Sequence, residues 1–108
     1  AEPTRAAIVD ATNEVVLSAV SAWEVAVKHR LGKLPLPETP DLWVPRQREA
    51  HGLMALELDE VSALMVGKLP DHHRDPFDRM LVSQALRHGL TIVTPDEAIR
   101  AYPVPTLW

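Results

Sequence analysis

At 108 residues with 46% hydrophobic content, the chain can bury one core of moderate size and is too short for two independent domains, so it reads as a single domain over residues 1–108. The absence of cysteine rules out a disulfide framework and a thiolate zinc site, and it fits a reducing cytoplasm. Fifteen acids against eleven Lys and Arg leave a net charge of −4, which excludes a broad, sequence-indifferent grip on polyanions but not an acidic pocket that meets phosphate through bound cations.

No apolar run approaches the roughly 18 residues of a membrane span, and no basic-then-apolar leader opens the chain, so a soluble protein without membrane partners is expected. Residue 1 is Ala rather than Met, as in a fragment. Residues 3–12 read as a short helix with Pro3 near its start. After a polar turn at Asn13 and Glu14, residues 15–19 form an apolar, β-branched run of the kind buried on both faces of a sheet.

Ser21 and Glu24 have the spacing of a capping box, which starts a helix running to Leu31, with Lys28, His29 and Arg30 in its last turn and Gly32 beyond its end. Residues 34–40 contain three prolines and form a loop. A helix is expected over residues 41–51, beginning or kinking at Pro45. Residues 53–58 are a second strand, and Asp59 caps a helix reaching Val66 and ending at Gly67.

The loop 68–74 leads to the densest stretch of the chain. Pro76 suits a first helical position, which makes Asp75 the N-cap and puts Asp78 in the first turn, where a carboxylate meets orphan N–H groups and the positive end of the helix dipole. This helix runs to His88 and stops at Gly89. Residues 90–94 are the clearest strand, Pro95, Asp96 and Glu97 open a short helix, and residues 104–107 suit a last, proline-edged strand.

Alternating strands and helices predict an α/β fold with a mostly parallel sheet and functional groups at the carboxyl ends of its strands. Glu24 and Asp96 each follow a strand closely, and Asp78 opens a helix beside them. Two carboxylates about 4 Å apart repel by roughly 4 kcal/mol at an effective dielectric of 20, so such a cluster calls for a cation. Oxygen ligands without sulfur select Mg²⁺ or Mn²⁺, the ions suited to phosphodiester hydrolysis. Each acid also has a local alternative: a capping box for Glu24, an N-cap for Asp75, dipole compensation for Asp78. His72 and His73 read as an exposed polar loop, because adjacent side chains rarely chelate one ion. Lys28, Arg30, Arg46, Arg48 and Arg74 read mainly as surface, and Arg79 sits beside the acids. Trp23, Trp43 and Trp108 read as core packing rather than base-stacking platforms.

The segments SAVSAWEVAVKHRLGKL (18–34), HHRDPFDRMLVSQA (72–85), LTIVTPD (90–96) and AYPVPTLW (101–108) together resemble the PIN domain, and within it the VapC-type toxins of bacterial toxin–antitoxin pairs. The resemblance implies a three-layer α/β/α sandwich and a Mg²⁺- or Mn²⁺-dependent endoribonuclease, usually a homodimer, silenced by a cognate antitoxin. Matched residue by residue, it makes Glu24, Asp78 and Asp96 catalytic metal ligands, with Asp75 either assisting or only capping. Thr94 matches a hydroxyl near the metal, and Arg79 is a supporting cation. The family opens on an apolar strand ending in Asp at the middle of its sheet, and no such run precedes Pro3. Asp10, expected inside a helix, is no substitute. The domain is therefore expected to be N-terminally incomplete, and the alternative to a nuclease is a catalytically inactive PIN-like module that binds antitoxin or RNA without cutting it.

Overall fold

The computed structural model describes residues 2–108. In chain order the elements are α1 (Glu2–Val9), β1 (Val16–Ser18), α2 (Ala19–Arg30), α3 (Pro40–Ala50), β2 (Met54–Leu56), α4 (Glu60–Met65), a 3₁₀ turn (Val66–Lys68), α5 (Pro76–His88), β3 (Ile92–Val93), α6 (Glu97–Arg100) and β4 (Thr106–Leu107). Among the described residues no strand precedes Val16, and no helix is long and apolar enough to cross a membrane. The chain divides into two compact units, Glu14–Glu57 and Leu58–Trp108, the latter joined by the residues up to Asn13.

In the 14–57 unit, β1 pairs in parallel with β2, Leu17 opposite Ala55. Both strands are shorter than expected. Among the described residues each has a single ladder partner, and Val16 and Leu17 of β1 are only half-buried, so β1 is not the strand buried on both faces that its apolar run suggests. The chain passes from β1 directly into α2, and the N-cap is Ser18, whose hydroxyl accepts the Val20 N–H at 3.0 Å. Ser21 and Glu24 therefore lie inside the helix, and the expected capping box does not form. Helix α3 starts at Pro40 and carries Pro45 within it. The helix thus begins earlier than expected, and the missing Pro45 donor forfeits one intrahelical bond near its start.

In the 58–108 unit, β3 pairs in parallel with β4, Ile92 opposite Thr106. The core is Val82 and Ala85 of α5 with Ile99, Tyr102 and Val104, flanked by Leu69, Leu86, Leu90 and Ile92. Helix α5 is bounded by local chemistry at both ends. Asp75 caps it and Pro76 opens it, while Gly89 ends it at φ 66°, a left-handed conformation that side chains with a Cβ rarely adopt. The N–H of Leu90 then returns to the Ala85 carbonyl at 2.9 Å.

Helix α1 stops at Val9, sooner than expected, and Asp10 lies in the turn that follows. Its carboxylate accepts the Thr12 N–H at 2.9 Å and the Thr12 hydroxyl at 2.7 Å, a local arrangement that competes with helix continuation. The same two bonds hold the Asp10 carboxyl below its ordinary value.

Candidate metal centre

The start of α5 sets the geometry. Asp75 Oδ1 accepts the N–H groups of Phe77 at 2.9 Å and Asp78 at 3.3 Å, so its cap role is realised. Asp78 is one turn ahead of Val82 and two ahead of Ala85, both buried. That spacing turns Asp78 toward the core face of the helix, and its side chain is only 19% exposed.

The end of β3 supplies the second acid. Thr94 donates its N–H to the Leu107 carbonyl at 2.9 Å, which extends the β3–β4 ladder by one bond. Its buried hydroxyl accepts the Asp96 N–H at 3.0 Å. Asp96 Oδ1 in turn caps α6 through the Ala98 N–H at 2.8 Å, and Oδ2 lies 3.7 Å from His73 Nε2.

His73 joins the two acids. Its Nε2 is 2.8 Å from Asp78 Oδ2, and its Nδ1 accepts the Arg74 N–H at 3.1 Å. With Nδ1 accepting, the ring hydrogen lies on Nε2 and is donated to Asp78. One ligand atom from each of His73, Asp75 and Asp78 lies within 4.8 Å of the others. The expectation of an exposed polar loop at His72 and His73 is thus wrong for His73, whose side chain is 23% exposed.

Arg79 holds the segment that carries His73. Its Nη1 donates to the Pro70 carbonyl at 2.9 Å and the Tyr102 hydroxyl at 3.0 Å, and its Nη2 donates to the Val66 carbonyl at 3.1 Å. The Tyr102 oxygen also accepts the His73 N–H at 3.1 Å, and the His72 and Tyr102 rings pack in a T-shaped arrangement with centroids 5.0 Å apart. Arg79 therefore supports the site by bracing backbone, with its donors committed to carbonyls and a phenol. Tyr102 had no sequence signal, since its partners lie 23 and 29 residues away.

Glu24 lies in the 14–57 unit, on α2, where its carboxylate pairs with Lys28 at 2.5 Å. The structure thus groups Asp75, Asp78, Asp96, Thr94 and Arg79 within one unit, around an unexpected His73. The tryptophan expectation is corrected for Trp23 and Trp108, which are exposed rather than packed in a core.

Two aspartates and a histidine, Asp75, Asp78 and His73, form a donor set that could hold a divalent cation, with the Asp96 carboxylate 3.7 Å from the same ring. The start of α5 adds its own polarity, which favours carboxylates there. Residues 1–105 match the PIN domain family, and the chain belongs to it, in agreement with its helices and parallel strand pairs. Among curated proteins the chain is similar to ribonuclease VapC16 of Mycobacterium tuberculosis, with 46% identity over 56 residues. The match takes in 52% of this chain and 40% of that protein, so the chain spans less than half the length of the curated relative it matches.

Proposed function

We propose that this chain is the toxin of a type II toxin–antitoxin pair, a VapC-type endoribonuclease that hydrolyses RNA phosphodiester bonds with Mg²⁺ or Mn²⁺. The observation that carries the reading is the convergence of Asp78 and Asp96 on the His73 ring from separate helices. Membership of the PIN family and similarity to a VapC ribonuclease support it. One family match across both compact units supports reading them as a single domain.

Asp78 and Asp96 are the proposed catalytic ligands, with Glu24 as a third and Asp75 as an auxiliary. When bound, the cation supplies a Lewis acid that activates water and stabilises the leaving oxygen of the phosphodiester. The chain's own contribution is orientation. The Thr94 hydroxyl sets the Asp96 backbone, Asp75 fixes where α5 begins and hence where Asp78 stands, and Arg79 fixes the 66–73 segment.

The Asp75, Asp78 and Asp96 carboxylates would suit a basic side chain from a cognate antitoxin, and we read the protein as a cytoplasmic homodimer that such an antitoxin silences. Cleavage of structured RNAs with Mg²⁺, Mn²⁺ or EDTA tests the activity. Loss of cutting in EDTA, restored by Mn²⁺, is expected; cutting that EDTA leaves unchanged contradicts the metal mechanism, and no cutting under any condition favours the inactive binding module.

A further inference from the structure

Two arginines, Arg74 and Arg79, line a cavity of about 490 Å³ beside the candidate centre, together with Asp71 and His73. They are not equivalent. The Arg79 side chain is only 14% exposed, and its guanidinium is committed to the Pro70 and Val66 carbonyls and the Tyr102 hydroxyl. Asp71, the carboxylate on the cavity wall, also lies 3.6 Å from Arg79 Nη1. Arg74 is exposed, and among the described residues its guanidinium has no hydrogen-bond or ion-pair partner. Its backbone, by contrast, is pinned on both sides. The Arg74 N–H donates to the His73 ring at 3.1 Å, the His73 N–H donates to Tyr102 at 3.1 Å, and the next residue, Asp75, caps α5. The root of the side chain is therefore fixed between two residues of the candidate centre, His73 and Asp75, and its head is free.

We infer that Arg74 grips the RNA backbone: its guanidinium binds a phosphate adjoining the one that is cut. The inference rests on the proposed nuclease and adds to it a substrate-binding residue. Asp75, Asp78 and Asp96 present negative charge to a substrate that is itself a polyanion, and a divalent ion among them answers only for the phosphate it touches. The next phosphate along the strand needs a cation of its own. A guanidinium offers two parallel N–H groups to two phosphate oxygens, a fork that an ammonium lacks. Arg74 can turn that fork to the substrate without breaking a bond of the fold, whereas Arg79 would have to abandon three. A phosphate contact carries no sequence information, so Arg74 sets affinity and register on the strand rather than the choice of sequence.

The test is cleavage of a fluorescein-labelled RNA hairpin at saturating Mn²⁺ by wild type, Arg74→Ala and Arg74→Lys, with Mn²⁺ affinity measured alongside by calorimetry. In Arg74→Ala, KM should rise about tenfold, the effect of losing one charge-assisted contact, while kcat and Mn²⁺ affinity change far less. The slope of log kcat/KM against log salt should become shallower by about 0.7, the share of one single-strand phosphate. Arg74→Lys keeps the charge and loses the fork, so it should retain the salt slope and recover part of the affinity. An unchanged KM in Arg74→Ala, or a fall in kcat or Mn²⁺ affinity in place of the KM effect, overturns the inference while the nuclease reading stands. If wild type does not cut the hairpin, the nuclease reading falls, and fluorescence anisotropy of the same RNA decides the inference. Weaker binding by Arg74→Ala with a shallower salt slope then upholds the grip on phosphate; equal binding, or none by wild type, overturns it.

Discussion

Arg79 and Tyr102, 23 residues apart, meet through a 3.0 Å bond from the guanidinium Nη1 to the phenol oxygen, and between them they fix the backbone that carries His73. The guanidinium reaches the Pro70 and Val66 carbonyls from the same fork. A lysine ammonium is a single point of donation and cannot span these partners together. Arg79→Lys should therefore destabilise the protein by about 2 kcal/mol, the order expected when partly buried acceptors lose their donor. Urea denaturation checks this through a lower midpoint at unchanged slope; an unchanged midpoint would show that Arg79 braces nothing.

Asp75 is a cap first, and its two functions separate by substitution. Asp75→Ala should lower stability by about 1 kcal/mol, a few degrees in Tm for a chain of this size. Asp75→Ser keeps the cap and removes the carboxylate, so it should restore the Tm. If Asp75 also assists the ion, Asp75→Ser remains weaker in Mn²⁺ binding; equal binding in this variant assigns Asp75 to capping alone.

A second carboxylate governs the response to acid. The Asp59 carboxyl caps α4 and is held well below the usual carboxylate range, first by the Ser62 hydroxyl, then by His88, then by the Ser62 N–H. The His88 Nε2, in the last turn of α5, lies 2.8 Å from Asp59 Oδ1, so the carboxylate ties two helices of one unit. A depressed folded-state value means that the contribution is fully present above the ordinary carboxylate value near 4 and is lost as the pH falls below it. The stability of wild type should accordingly fall more steeply than that of Asp59→Asn as pH drops from about 4. Parallel stability curves for the two proteins in that range would contradict the role of this carboxylate.

The features that could be read from the sequence are those whose causes lie within a few residues. Asp75, Pro76 and Gly89 bound α5 by contacts no longer than one helical turn, and Asp59 caps α4 in the same way. The cap of α2 falls at Ser18, three residues before the Ser21 that the capping-box spacing favours, and the two serines are chemically identical. The length of the preceding strand, which decides between them, depends on a partner near Ala55. The strands are shorter than their apolar runs for the same reason, since such runs report propensity while a ladder requires a neighbour. His73 shows the same limit at the site. Its meeting with Asp96 depends on where α5 and β3 place their ends, which no spacing in the chain encodes.

The proposed function requires Asp78 and Asp96 to hold the divalent ion used in RNA cleavage. The most direct test is RNA cleavage at saturating Mn²⁺ by wild type, Asp78→Asn and Asp96→Asn, each first shown by circular dichroism to be folded. Cleavage by wild type and a loss of at least about a hundredfold in each variant are expected. Wild-type rates in either folded variant would contradict it.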